Sequence, residues 1–323
     1  MGLIINGKWR NQWYDTDGNQ GEFKRQASSF RHTISNDEDN PYKVETGRYH
    51  LYVSLACPWA HRTLIFRELK QLQDIISVSV VQAEMLENGW QFSDSDSKYV
   101  DDLYQHQYLY QLYLHAAPEY EGRVTVPVLW DKKTQTIVNN ESSDIIRIFN
   151  HVFNELTGNF DDYYPQALQP QIDEINERIY HTINNGVYKA GFATTQHAYE
   201  SAYKELFASL DWLEAHLGTN RYLLGNQLTE ADWRLLTTLL RFDAIYHGHF
   251  KCNRNKLSEF HHISHYVREL YQKPGIASTL DIEYSKRHYY VSHSTINPTG
   301  IIPAGPALNF EQPHEREQWA IDS

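Results

Sequence analysis

A chain of 323 residues with 41% hydrophobic content is long enough for about two domains and apolar enough to fill real cores. Its formal net charge of −12 argues against a general nucleic-acid or anionic-membrane binder, since either needs a basic face. The two cysteines, Cys57 and Cys252, lie far apart, which rules out a disulfide framework and suits a reducing compartment.

The first residues, Met1 to Trp9, hold no apolar signal core, and nowhere do apolar residues run for the ~18 positions that a membrane helix needs. The expectation is a cytoplasmic protein with no membrane or nucleic-acid partner. Asn140-Glu141-Ser142 matches a glycosylation acceptor, which carries no weight in a chain that is not secreted.

Residues 1–46 are polar but interrupted by Trp9, Trp13, Tyr14, Phe23 and Phe30, a composition that wraps a globular body rather than folding alone. A second region, 47–155, opens with a strand over Tyr49 to Leu55, a turn at Cys57, a helix to about Leu72 and a second strand over Ile75 to Val81. This strand, helix, strand order is a βαβ unit with parallel strands. Pro58 suits the first helical position, so Cys57 falls at the helix start, where unpaired N–H groups and the helix dipole favour thiolate over thiol. A cysteine beside a proline at such a turn is where a thioredoxin-type fold places its reactive sulfur.

An insertion over 83–122 follows, in which Tyr104, Tyr108 and Leu112 stand four apart, predicting an amphipathic helix from Asp101 to Leu114. Val124 to Trp130 reads as a strand interrupted by Pro127, Thr136 to Val138 as its hairpin partner, and Ser142 to Phe153 as a helix. If Pro127 is cis, the backbone of Val126 turns outward to meet a peptide-like ligand.

From 165 to 275 the pattern is helical throughout: Pro165 to Asn185, His197 to Leu217, Glu230 to Ile245 and Leu257 to Gln272. Thr229, with Asp232 three residues on, is a good N-cap for the third of these. An extended tail, 276–323, carries Pro298, Pro303, Pro306 and Pro313 and is too proline-rich for a helix. The predicted fold is an α/β thioredoxin-like N-terminal domain plus an all-α C-terminal domain, the glutathione transferase architecture.

Motifs along the chain carry a narrower resemblance. Cys57-Pro58-Trp59-Ala60-His61-Arg62, Arg123-Val124-Thr125-Val126-Pro127, Asn140-Glu141-Ser142, Asn185-Gly186-Val187-Tyr188, the run from Arg241 through Tyr246 to Asn253, and Lys286-Arg287-His288-Tyr289-Tyr290 occur in that order. Together, from about Trp9 to Tyr290, they resemble the glutathionyl-hydroquinone reductases, the Xi class of omega-like glutathione transferases.

The resemblance implies removal of glutathione from glutathionyl-hydroquinones through a mixed disulfide on Cys57. The motif is Cys-Pro-Trp-Ala rather than Cys-x-x-Cys, so no neighbouring thiol resolves that intermediate and a second glutathione must. Tyr188, by resemblance, exchanges protons with the substrate ring, while Tyr246 and Tyr289 donate hydrogen bonds to the Cys57 thiolate. With 23 tyrosines in the chain, place in a motif rather than residue type supports these assignments.

For glutathione, Ser142 and the helix start after it suit the γ-glutamyl carboxylate and Glu141 its ammonium. The Val124, Thr125 and Val126 run offers backbone to the extended peptide, Arg123 meets the glycyl carboxylate, and Trp90 forms an apolar wall. Glutathione is then a co-substrate, with no permanently bound cofactor, the partners are small molecules, and the molecule is a homodimer.

Two readings compete. An omega-like thiol transferase or dehydroascorbate reductase uses the same cysteine but needs no tyrosine cluster, and a non-catalytic scaffold needs neither. Seventeen histidines invite a metal reading, yet His247-Gly248-His249 with Cys252 and His261-His262 with His265 lack a completing ligand, so no metal is expected.

Overall fold

The computed structural model describes residues 2–317 and divides into two compact units. The first holds the chain as far as Trp13, then Gln26–Asp161 and Thr279–Ser292; the second holds Tyr14–Arg25, Asp162–Ser278 and the chain from His293 onward. The N-terminal segment is thereby shared between the two units.

The first unit begins with a hairpin, β1 (Leu3–Ile5) and β2 (Lys8–Arg10), followed by β3 (Tyr49–Val53), α1 (Pro58–Leu69) and β4 (Ser77–Val80). A short hairpin, β5 (Met85–Leu86) and β6 (Gly89–Trp90), precedes α2 (Leu109–Ala116), β7 (Gly122–Arg123), β8 (Val128–Asp131), β9 (Thr136–Asn139), α3 (Ser142–His151) and α4 (Asn154–Thr157). The main sheet runs β4-β3-β8-β9, with β3 parallel to β4 and antiparallel to β8. Every residue of β3 is buried, as suits a central strand, including His50, whose Nδ1 lies 2.7 Å from Ser77 Oγ on β4. β1 pairs on its other side with β7, forming a separate three-stranded sheet.

The insertion departs from its predicted helix, because α2 begins only at Leu109. Buried Asp101 accepts hydrogen bonds from the N–H groups of Leu103 (3.1 Å), Tyr104 (3.3 Å) and His106 (3.1 Å) and from the Tyr52 hydroxyl (2.8 Å). A carboxylate that gathers backbone donors in this way offers an alternative to the helical ladder, and a turn results. Burial pushes the Asp101 pKa up, but His106, Tyr52 and the backbone donors outweigh it and hold the group down to about 2.

The predicted strand from Val124 is also shortened. It pairs only from Val128, after a Val126–Pro127 peptide bond that is cis.

The second unit contains α5 (Gln169–Ile179), α6 (Gly186–Gly191), α7 (Gln196–Leu217), α8 (Glu230–Arg241), α9 (His247–His249) and α10 (His261–Tyr271). Thr229 caps α8 as its sequence indicates: its N–H donates to Asp232 (2.9 Å), whose other oxygen accepts from Leu223 N (2.9 Å) and the Tyr266 hydroxyl (2.8 Å). Two helices predicted as continuous pass instead into π-helical segments, Tyr180–Asn184 after α5 and Phe242–Tyr246 after α8. A π turn absorbs an extra residue without breaking the apolar pattern, so periodicity cannot reveal it.

The tail departs most from expectation. After Gly275 the chain forms α11 (Ile282–Ser292), which belongs to the first unit. It is held by Tyr284, whose hydroxyl donates to Val81 O (2.6 Å), and by Ser292, whose Oγ accepts from Met85 N (2.9 Å). The prolines cited against a helix all lie beyond it.

Candidate active site

Cys57 is the N-cap residue of α1, with extended backbone (φ −77°, ψ 116°) and Pro58 at the first helical position. It is half-buried, and its Sγ lies 3.6 Å from Val126 O, the carbonyl that precedes Pro127. Four residues into α1, Arg62 is buried and directs Nη1 to Ser142 Oγ at 3.5 Å, linking the cysteine's helix to the start of α3. The helix therefore presents a thiol and a cation toward the segments that precede β8 and follow β9.

Glu141 caps α3. Its Oε1 accepts from Ser143 N (3.1 Å) and Ser143 Oγ (3.0 Å), and its Oε2 accepts from Ser28 Oγ (3.0 Å). Ser142 is buried beside it at the first helical position.

Sequence reasoning missed the residue that holds these segments together. The Tyr113 hydroxyl, fully buried on α2, donates to Thr125 O (2.8 Å) and accepts from Thr125 N (3.3 Å) and Asn140 Nδ2 (3.1 Å). It ties the residue before Val126 to the residue before Glu141. The sequence shows Tyr113 only as one member of an apolar stripe, so its polar tip left no signal.

The remaining candidates in this unit lie outside the main sheet. Val124 is buried, Thr125 spends its N–H and carbonyl on Tyr113, and Val126 meets the thiol through its carbonyl. Arg123 directs its guanidinium to the carbonyls of Gln12 and Trp13, the latter at 2.9 Å, so it anchors the N-terminal hairpin. Trp90 stacks on His288 (centroids 4.9 Å, 16°), and its buried Nε1 has no hydrogen-bond partner among the described residues. Tyr289, next to His288 on α11, is buried.

A second cluster stands in the helical unit. Tyr188 on α6 and Tyr246 at the end of a π segment approach to 6.0 Å between ring centroids, and Phe250 packs against both, at 5.6 Å and 5.5 Å. Each tyrosine follows or ends a π turn, a distortion frequently found where a helix serves function.

Gly191 makes this packing possible, because an added Cβ would fall inside the Phe250 ring. Gly191→Ala is expected to cost about 1–3 kcal/mol of stability by overpacking and to lower turnover by displacing Phe250 from both tyrosines. Thermal unfolding read together with steady-state kinetics checks this; an unchanged melting temperature would contradict it.

Comparison with known proteins decides the family. Residues 56–152 match the model of the glutathione S-transferase N-terminal domain, and residues 196–269 match that of the C-terminal domain. The chain is 56% identical to glutathionyl-hydroquinone reductase YqjG of Escherichia coli (strain K12), over 98% of this chain and 99% of that protein. It is 52% identical to glutathionyl-hydroquinone reductase PcpF of Sphingobium chlorophenolicum, over 95% of this chain and 97% of that protein. The chain belongs to the glutathionyl-hydroquinone reductase, or Xi, class of glutathione transferases.

Solved structures agree. The glutathione-bound structure of YqjG superimposes with a TM-score of 0.86 at 56% identity, covering 89% of this chain and 96% of that one. The Xi class transferase from Natrialba magadii gives 0.92 at 47% identity, covering 98% and 97%. The expected α/β thioredoxin-like plus all-α architecture is thus that of this Xi-class transferase.

Two further features bear on the chemistry of this class member. Cys252 is fully buried and burial pushes its thiol pKa far up, whereas Cys57 is half-buried. Among the described residues, one group has metal-ligand proximity: His261, His265 and Glu315. The tail thus brings the carboxylate that sequence reasoning found lacking, but Glu315 N–H already donates to His265 Nδ1 at 2.9 Å, which occupies that ring nitrogen. No helix of the described residues is long and apolar enough to cross a membrane.

Proposed function

We propose that this protein reduces glutathionyl-hydroquinones to hydroquinones, using glutathione and releasing glutathione disulfide. The observation that carries the reading is a half-buried cysteine at a helix start, without a Cys-x-x-Cys partner, in a chain 56% identical to a reductase of that name.

The chemistry follows from what each group can do. A thioether sulfur on an aromatic ring is not displaced by thiolate until the ring can accept the electron pair. Tyr188 donates its proton to the ring carbon that bears sulfur, while a ring hydroxyl becomes a carbonyl and its proton returns to Tyr188. Cys57 thiolate then attacks the sulfur, the carbon–sulfur bond breaks, and its electrons restore the aromatic ring as a phenolate, which takes up one proton. Sulfur is oxidised and the ring carbon reduced. A second glutathione thiolate attacks the Cys57–glutathione disulfide, giving glutathione disulfide and free Cys57.

Tyr246 and Tyr289 serve as hydrogen-bond donors to the thiolate in this reading. Glutathione lies with its γ-glutamyl end at Glu141 and Ser142, where the helix start and the nearby Arg62 favour an anion. Its peptide pairs with the backbone of Val126, since the Thr125 N–H and carbonyl are engaged by Tyr113, and the Trp90 Nε1, which has no partner among the described residues, is a donor for that cradle. Arg123 reaches the glycyl carboxylate only if it releases a backbone carbonyl it now holds.

Glutathione is a co-substrate and no permanently bound cofactor takes part. The working unit is a cytoplasmic homodimer.

Incubating the protein with glutathionyl-hydroquinone and glutathione should release one hydroquinone for each glutathione disulfide formed. Attachment of glutathione to free quinone, with no hydroquinone released from the conjugate, would refute the reading.

A further inference from the structure

Residues Tyr14–Arg25 belong to the helical unit, and the hydrogen bonds there show how they are held. Thr194 N–H donates to Gly21 O (3.0 Å) and Thr195 Oγ1 to Gln20 O (3.0 Å). Gly21 has φ +88°, and a Cβ there would collide with the Thr195 side chain, so the close approach requires glycine. Two residues on, Phe23 is buried against Phe192 (5.3 Å) and Tyr14 (4.6 Å), with the Tyr188 ring at 6.4 Å.

This anchoring delivers Arg25. Its guanidinium carbon stands 5.0 Å from the Tyr188 ring centroid and 5.3 Å from that of Phe23, and its Nε donates to Asn185 Oδ1 (3.2 Å). Asn185 directly follows the first π segment and precedes α6, the helix that carries Tyr188. The cation is therefore held by a side chain at the start of the tyrosine's own helix as well as over its ring. Arg25 also lines a cleft of about 400 Å³ shared with Lys24, Lys189 and Asn185, through which water reaches it.

We infer that Arg25 is a positioning residue for proton transfer: its guanidinium over the Tyr188 ring stabilises the phenolate that forms when Tyr188 gives its proton to the substrate ring. The inference rests on the reading of Tyr188 as the proton donor. A full positive charge at this range favours an anion over a neutral phenol, and Arg25 keeps its charge at every working pH. Titratable groups packed near Tyr188 include Tyr246 and, behind Phe250 and Phe192, the hydrogen-bonded pair His249 and His293 (3.0 Å). Lys189, the next residue on α6, is paired with Glu205 at 3.7 Å. The N-terminal strap thus has a chemical task within the helical unit, which is to bring a permanent charge beside Tyr188.

The test compares wild type, Arg25→Met and Arg25→Lys by NMR of ring-labelled tyrosine, with Tyr188→Phe identifying the resonance, alongside steady-state kinetics. In Arg25→Met the Tyr188 phenol should titrate about one pH unit higher. Its kcat for glutathionyl-hydroquinone should fall about tenfold with KM within about twofold, and Arg25→Lys should recover most of both. Reduction of a glutathione mixed disulfide, which needs no ring proton, should be unchanged and shows that the variants are folded. An unmoved Tyr188 titration in Arg25→Met overturns the inference whatever the rates. A titration that moves while thioether turnover stays constant refutes Tyr188 as proton donor instead.

Discussion

Cys57→Ala should abolish hydroquinone release, lowering turnover by about three orders of magnitude or more, because removal of a nucleophile leaves only binding and proton transfer. The same variant should fail to gain a glutathionyl group when incubated with glutathione disulfide, as intact-protein mass spectrometry reads directly. Cys252→Ala should gain one group and keep its turnover, since the buried Cys252 thiol is held in its protonated form. The contrast separates loss of a sulfur from loss of the reacting sulfur. It also tests the scaffold reading, which requires Cys57→Ala to leave function intact. A Cys57→Ala protein that still forms the mixed disulfide would remove the basis of the mechanism.

Tyr188→Phe should divide the two reactions that Cys57 can perform. Loss of a positioned proton donor costs about 10²-fold or more where proton transfer limits the rate, so reduction of glutathionyl-hydroquinone should drop by about that factor. Disulfide reduction breaks a sulfur–sulfur bond whose leaving group needs no ring protonation, and it should stay within about twofold. Tyr188 is buried with its ring against Phe192 and Phe250, and removal of one hydroxyl leaves those contacts in place. The omega-like thiol transferase reading makes the opposite prediction, with both rates unchanged. Parallel assays on one preparation decide between them, and equal losses in both would point to disturbed packing rather than chemistry.

Much of this was written in local chemistry. Pro58 at the first helical position, Cys57 before it and Thr229 with Asp232 at the start of α8 are caps, and a cap is decided by neighbours a few residues apart. The alternation of strands and helices from Tyr49 to His151 follows from hydrophobic period in the same way. Where the local pattern misled, a distant partner was responsible. Asp101 breaks a helix by gathering donors that include Tyr52, and α11 forms in a stretch dismissed for its prolines because it docks through Tyr284 and Ser292 on Val81 and Met85. Both effects come from contacts made only in the folded chain.

The amino-acid sequence by itself determined the fold class, the place of Cys57 at a helix start and its lack of a Cys-x-x-Cys partner, because each depends on residue type and near-neighbour spacing. Tertiary structure alone decided that Tyr113 joins the Val126 and Glu141 segments, that Gly191 yields its space to Phe250, and that Arg25 stands over Tyr188. Hydrogen bonds, ring packing and charge act over a few ångströms of space, and the chain separations they bridge here leave no period or motif for a linear reading to find.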